Sequence, residues 1–173
     1  MKKYLILIAL LIFCIQITWI WTAHDNLSVS ANSISNIPEF NLPSLDVDGI
    51  MISQKDLSYQ GIHVINFFAS WCGPCKVEHP FLMDLAERGI DILGIDFQDN
   101  PDLAKDFLKA QGSPYLLTAI DAMGELGPTW GINSIPQTYV INDAGQVLFH
   151  KSGRLIREDI ENHINPLLLA IKE

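Results

Sequence analysis

Residues 62–78 read Ile62-His63-Val64-Ile65-Asn66-Phe67-Phe68-Ala69-Ser70-Trp71-Cys72-Gly73-Pro74-Cys75-Lys76-Val77-Glu78. The run over 62–68 is nearly all apolar, the pattern of a strand covered on both faces. A short turn follows, and then the period changes. Val77, Phe81 and Leu85 recur every four residues, Leu82 and Ala86 widen the stripe, and Gly89 supplies a stop. The spacing predicts a helix that reaches Arg88. Two thiols separated by two residues thus open a helix directly behind a buried strand. A cysteine at a helix N-terminus meets free amide groups and the positive end of the dipole, which favour the thiolate. A second cysteine one turn further in is placed to attack a mixed disulfide and release its partner. Cys72 therefore reads as the nucleophile and Cys75 as the resolving thiol. Gly73 leaves room for an approaching chain, and Pro74 fits the first helical turn, where its missing N–H costs little. Trp71 lies beside the thiols as part of a docking surface.

Working outward, 90–96 is a second buried strand. Asn100 followed by Pro101 is a cap and first helical position, and Leu103, Phe107 and Leu108 give a helix ending near Gly112. A short strand is expected over 115–120 and a helical turn over 125–130. Strands over 137–142 and 147–151 flank Asp143-Ala144-Gly145, a hairpin turn. Ile156, Ile160 and Ile164 define a last helix, kinked at Pro166. Upstream, residues 40–52 hold two short extended runs around Asp48-Gly49, a hairpin signal. The order β-α-β-α-β-β-α predicts an α/β fold with a mixed central sheet, helices on both faces and an N-terminal hairpin. Ile135-Pro136 stands at a strand entry, where proline is tolerated; read alone it is an ordinary trans proline.

The N-terminal end differs in kind. Residues 4–21 are apolar apart from Gln16 and Thr18. As a helix, such a run rises about 27 Å, close to a bilayer's hydrocarbon thickness. Lys2 and Lys3 precede it and should stay in the cytoplasm, and Trp19 and Trp21 suit the far interface. The expected organisation is an uncleaved transmembrane anchor over 1–22, a Ser- and Asn-rich linker over 23–36, and a domain over 37–173 outside the membrane. A cleaved signal peptide is the rival reading; a cut after Ala23 would place bulky Trp21 where a small residue is required. Cys14 reads as a packing residue within the membrane.

Of 173 residues, 11 are basic and 20 acidic, a net charge of −9. That balance argues against nucleic acid, which demands clustered Lys and Arg. With three cysteines, one of them in the apolar run, no multi-disulfide framework is available. A purely structural role for the Cys72–Cys75 pair is weak, because so small a loop constrains the unfolded chain little. A zinc site lacks ligands: His79 is near, without a second Cys or His cluster. No metal or other cofactor is expected beyond the redox-active pair. His63, His150 and His163 carry no site-like spacing.

These residues resemble a known family. Trp71-Cys72-Gly73-Pro74-Cys75 is similar to the thioredoxin active-site motif. More closely, the chain resembles the membrane-anchored cytochrome c maturation proteins called CcmG or DsbE, in Asn66–Cys72, Glu78-His79-Pro80, Gly94-Ile95-Asp96-Phe97-Gln98-Asp99, Trp130-Gly131-Ile132 through Val140-Ile141-Asn142, and Ile164-Asn165-Pro166-Leu167-Leu168. The resemblance implies a thioredoxin-like fold in which Pro136 is a cis proline opposite the cysteines. Ile135, Gln137 and Trp130 are the expected substrate-groove residues, Trp130 reading as core or groove wall rather than catalytic. The resemblance also implies a thiol:disulfide oxidoreductase that reduces apocytochrome c in the periplasm so that haem can be attached. Its partners would be apocytochrome c or a haem-ligation component, and a CcdA- or DsbD-type membrane protein as electron donor. It would be a single-pass protein of the cytoplasmic membrane with its C-terminal domain in the periplasm. The chain departs from the family where Gln137 replaces a glutamate. Asn66 stands where cytosolic thioredoxins keep a buried aspartate, so Glu78 or Asp96 becomes the candidate proton-handling carboxylate; the plainer reading of each is a solvated surface charge. Two alternatives stay open: a general or copper-site thiol reductase of the TlpA type, and a copper(I) metallochaperone holding its ion between the two thiolates. A peroxiredoxin's Thr-x-x-Cys arrangement is not found at Cys72.

Overall fold

The apolar run at the heart of the sequence becomes β3 (Ile62–Phe68), every residue of which is buried. The computed structural model describes residues 35–57 and 61–170. The strands that precede β3 are β1 (Asn41–Pro43) and β2 (Met51–Ser53), paired antiparallel with Leu42 opposite Ile52. Those that follow are β4 (Asp91–Phe97), β5 (Leu117–Asp121), β6 (Gln137–Asn142) and β7 (Val147–Ser152). The main sheet has the order β5-β4-β3-β6-β7. β3, β4 and β5 run parallel, whereas β6 and β7 are antiparallel additions, so the sheet is mixed and β3 is central.

Alternation divides the central strands between two layers. Ile65 and Phe67 face a cluster with Leu93, Ile95, Tyr139, Ile141 and Trp130, closed over by Phe40, Leu42 and Ile52. Val64 faces the other way with Ile92 and Val140, against Leu82 and Leu85 and against Leu155, Ile160 and Ile164 from the chain's end. Burying a side chain of this size contributes roughly 1.5–3 kcal/mol.

Helix α1 (Gly73–Glu87) closes at Gly89, whose φ of +84° suits a residue without a Cβ. Its buried face is Cys75, Glu78, His79, Leu82 and Leu85. Val77, expected on the apolar stripe, is 53% exposed. The hydrophobic period misplaces the stripe by one position because two polar side chains, Glu78 and His79, occupy its inner face. Pro80 lies inside the helix and leaves the Lys76 carbonyl without its usual donor. Helix α2 (Pro101–Gln111) is capped by Asn100, whose side chain accepts from the Asp102 N–H. It buries Ala104 and Leu108, while Leu103 is exposed. A single turn, Gly127–Trp130, precedes β6. The last helix is irregular: Arg157–Asp159 is α-helical, Ile160–Ile164 widens to a π-turn, and Asn165–Ala170 returns to α. The widening sits just before Pro166, which cannot donate back to the Asn162 carbonyl.

Among the described residues no helix is long and apolar enough to cross a membrane. The expected anchor over 1–22 and nearly all of the linker over 23–36 lie outside the described residues.

Candidate active site

Cys72 and Cys75 stand at the C-terminal end of β3, the central strand, where α1 begins. They are joined as a disulfide, S–S 2.02 Å, with Cα atoms 5.3 Å apart. Cys72 is the N-cap of α1: its backbone is extended, and its Sγ accepts from the Cys75 N–H at 3.2 Å. An amide therefore points at the sulfur that would carry negative charge after reduction. Both cysteines are buried, packed among Phe68, Ala69, Leu45, Ala104 and Leu108. Around them Gly73 and Pro74 are exposed, and the Trp71 side chain is 59% exposed, tethered by its Nε1–H to the Gln98 carbonyl at 3.0 Å.

The Ile135–Pro136 peptide bond is cis. Pro136 is buried, and its carbonyl accepts from the Gly153 N–H at 2.9 Å. Ile135, half-buried, packs against the cluster that holds both cysteines. The turn before β6 thus meets the end of β3 through the side chain that precedes the proline.

Gln137, expected at the groove, and Trp130, expected in the core or the groove wall, are both buried. Gln137 is buried; its Nε2–H groups donate to the Ser134 carbonyl at 2.8 Å and to Ser152 Oγ at 3.0 Å. Its Oε1 lies 2.8 Å from His150 Nε2, and the His150 ring stacks on Tyr139. Its side chain ties the proline turn to β7 rather than lining a groove. Burial lowers the His150 pKa from its ordinary 6.5. Trp130 is core: 2% exposed, with its ring edge-on to Phe67, Phe40 and Tyr139. Its Nε1 has no hydrogen-bond partner among the described residues. Alternation explains Gln137, because Phe67, Gln137 and Tyr139 share the sheet face turned away from α1; Trp130 packs on that face from the turn Gly127–Trp130.

Glu78 and Asp96, read as ordinary surface carboxylates in the plainer view, are both completely buried. Glu78 Oε1 accepts from Asn66 Nδ2 at 2.9 Å, and Oε2 accepts from the Leu155 N–H at 2.7 Å. Asn66 Nδ2 also donates to Thr138 Oγ1 at 3.1 Å, and Asn66 Oδ1 accepts from the Tyr115 hydroxyl at 2.9 Å. The Tyr115 ring stacks on Phe68, which packs against the cysteines. A polar chain of Tyr115, Asn66, Thr138 and Glu78 therefore runs behind the disulfide. Burial pushes the Glu78 carboxyl from 4.5 to about 7, against the lowering effect of Leu155, Asn66 and Arg154. Burial, with Asp99 beside it, pushes Asp96 from 3.8 to about 7. Tyr115, burdened by burial and by both carboxyls, is held well above its ordinary value.

Tyr115 and Thr138 carried no signal in the sequence. Asn66 did, as a polar residue inside an apolar strand. Among the described residues no cluster of three or more His, Cys, Asp or Glu side chains is arranged to hold a metal ion.

Comparison with known proteins agrees with this geometry. The Redoxin family matches residues 33–164. The thiol:disulfide interchange protein HelX of Rhodobacter capsulatus is 42% identical over 116 residues, 67% of this chain, and the chain spans 66% of HelX's length. The thiol:disulfide interchange protein DsbE of Escherichia coli K12 is 34% identical over 176 aligned positions, covering 96% of this chain and 95% of that one. The crystal structure of a secreted thiol-disulfide isomerase from Corynebacterium glutamicum superposes with a TM-score of 0.64 at 21% identity, over 83% of this chain and 96% of that one, a likeness of fold. The chain belongs to the Redoxin family, among the thiol:disulfide interchange proteins of the DsbE and HelX type, oxidoreductases built on a thioredoxin-like fold.

Proposed function

We propose that the protein reduces the disulfide of apocytochrome c outside the cytoplasmic membrane, so that both haem-attaching thiols are free. The observation that carries this reading is Cys72 as the N-cap of α1, its sulfur facing the Cys75 N–H at 3.2 Å beside an exposed Trp71-Gly73-Pro74 rim. In the reduced form Cys72 loses a proton, and its thiolate attacks one sulfur of the client disulfide. A Cys72–client S–S bond forms, and the client's second sulfur leaves as thiolate and takes up a proton. The Cys75 thiolate then attacks Cys72. The intramolecular disulfide closes and the client departs with its first sulfur reduced. Two electrons and two protons have passed to the client. A membrane dithiol of the CcdA or DsbD type returns them by the reverse exchange.

Glu78 is the carboxyl suited to taking the Cys75 proton, through burial behind the disulfide and a pKa of about 7. Pro136 and Ile135 supply the opposite wall of the docking surface. The chain's likeness to DsbE and HelX supports the client class, and the apolar run over 4–21 behind two lysines supports a single-pass anchor with this domain in the periplasm.

The test is trapping. A Cys75→Ser variant is expected to accumulate a mixed disulfide through Cys72 with an oxidised Cys-x-x-Cys-His peptide, faster than with unrelated disulfides. Equal rates on every disulfide, or faster reaction with a copper-site protein, would overturn the dedicated role.

A further inference from the structure

The turn that leaves β4 holds the loop that carries Trp71 and Cys72. Asp99 Oδ2 accepts a short hydrogen bond from the Ser70 N–H, and the Gln98 carbonyl accepts from Trp71 Nε1–H at 3.0 Å. Two consecutive residues of one turn thus grip two consecutive residues of the other. The gripping turn is itself held in a costly shape. Gln98 has φ +51°, a left-handed conformation that few side chains adopt, and its N–H is bound to the Asp121 carbonyl at 2.9 Å. Its side chain lies against Gly124, where a Cβ would come within 2.4 Å of it.

Behind this grip lies Asp96, directly opposite Phe68 in the parallel pairing of β3 and β4. It is completely buried, and neither carboxyl oxygen has a hydrogen-bond partner of good geometry among the described residues. Two bare carboxylates cannot sit together in such a place at low cost. The groups that act on Asp96 or share its surroundings are Asp99 on the same turn, Tyr115 ahead of β5 and, beyond the Tyr115 hydroxyl, Glu78 of α1. None of these brings a compensating positive charge.

We propose that Asp96 and Asp99 form a positioning pair for the redox loop: a proton resident on Asp96 keeps Asp99 seated as the acceptor for the Ser70 amide. With the proton in place the grip on Ser70 and Trp71 is closed. When Asp96 ionises, two like charges face each other, Asp99 swings off the amide, and the segment leading into Cys72 is released. Burial and the neighbouring Asp99 put that ionisation at about pH 7. The closed form therefore prevails below that pH and the open form above it. Asp96 and Asp99 act through the loop and are positioning residues, not groups that touch the client. The idea rests on the reading of Cys72–Cys75 as the exchanging pair only for its consequence in rate.

The test uses the full-length chain, oxidised, uniformly labelled with nitrogen-15 in detergent, followed from pH 5 to 9. The Ser70 amide and the Trp71 indole signals are expected to shift together in one step near pH 7. Asp96→Asn, whose amide donates to Asp99 at every pH, is expected to abolish the step and leave both signals at their low-pH positions. Asp99→Asn is expected to speed Ser70 amide exchange about tenfold at pH 6, since a hydrogen bond to a charged acceptor has been weakened. The rate of Cys72–Cys75 reduction by dithiothreitol, corrected for the reagent's own ionisation, should show a break near pH 7 that Asp96→Asn removes. A step that survives unchanged in Asp96→Asn would overturn the proposal. So would signals from Ser70 and Trp71 that stay flat in the unsubstituted chain. Failure of the chain to exchange with any peptide disulfide would strike the proposed function and leave the amide titration intact, so the two failures are separable.

Discussion

Replacing Glu78 by Gln tests the electrostatics of the buried network directly. The carboxyl is fully buried, accepts from Asn66 and from the Leu155 N–H, and has its pKa pushed from 4.5 to about 7, with burial as the dominant cause. Between those two values the folded chain keeps a proton that the unfolded chain has released. Stability then falls as pH rises through that window and levels off above it. Carrying the carboxyl from 4.5 to about 7 makes the whole fall about 3 kcal/mol. Glutamine cannot ionise, so this part of the pH dependence disappears. Its amide can still face both neighbours: Oε1 accepts from Leu155, and Asn66 turns its own amide over so that its oxygen accepts from the new Nε2. Thr138 and Tyr115 can follow, because hydroxyls both donate and accept. Guanidinium unfolding of oxidised wild-type and E78Q chains at pH 5 and pH 8 gives the comparison. The loss of stability between the two pH values should be smaller in E78Q by about 2.5 kcal/mol, since part of the fall already lies below pH 5. His79 and His150, whose pKa values burial lowers, add stability as pH rises, and Asp96 removes it; all three remain in both chains and cancel in the difference. A pH dependence in E78Q matching wild type within about 0.5 kcal/mol, about a fifth of the expected difference, would refute the assignment of a buried, proton-holding carboxyl to this position.

Other substitutions probe the surrounding frame. Gly94→Ala would bring a methyl within 2.7 Å of the Tyr115 ring, so the ring must leave its stack on Phe68; a destabilisation of about 1–3 kcal/mol and an altered near-ultraviolet dichroism are expected. Tyr115→Phe leaves Asn66 Oδ1 unsatisfied and should cost about 1–3 kcal/mol, measured by the same unfolding assay. Gln137→Glu sets a carboxylate against His150 Nε2; the His150 titration followed by proton resonance should move upward, from below 6.5 toward or above it. Trp130→Ala empties the space among Phe40, Phe67 and Tyr139 and should destabilise the fold by about 3–5 kcal/mol.

Local signals located the centre of this protein without help from the fold. A seven-residue apolar run, two thiols at a spacing of three and a helical period behind them place Cys72 at a helix N-terminus, and the structure has it there as the N-cap. The strand over 137–142 and the cap at Asn100 were equally legible, because turn and capping chemistry act within a few residues. Helix faces were read less well. Val77 fits the period but points outward, since the inner face of α1 is given to Glu78 and His79. Nothing local announces that choice.

What the sequence by itself determined is short-range: where strands and helices begin, and that a reactive pair of cysteines opens one of them. What only the tertiary structure decided is which polar groups lose water. Glu78 and Asp96 look like solvated charges until β3, β4, α1 and the segment at Leu155 close over them, and Gln137 looks like a groove residue until alternation turns it to the far side of the sheet. Desolvation depends on every element that packs around a group, wherever in the chain it comes from, so no reading of neighbours in sequence can supply it.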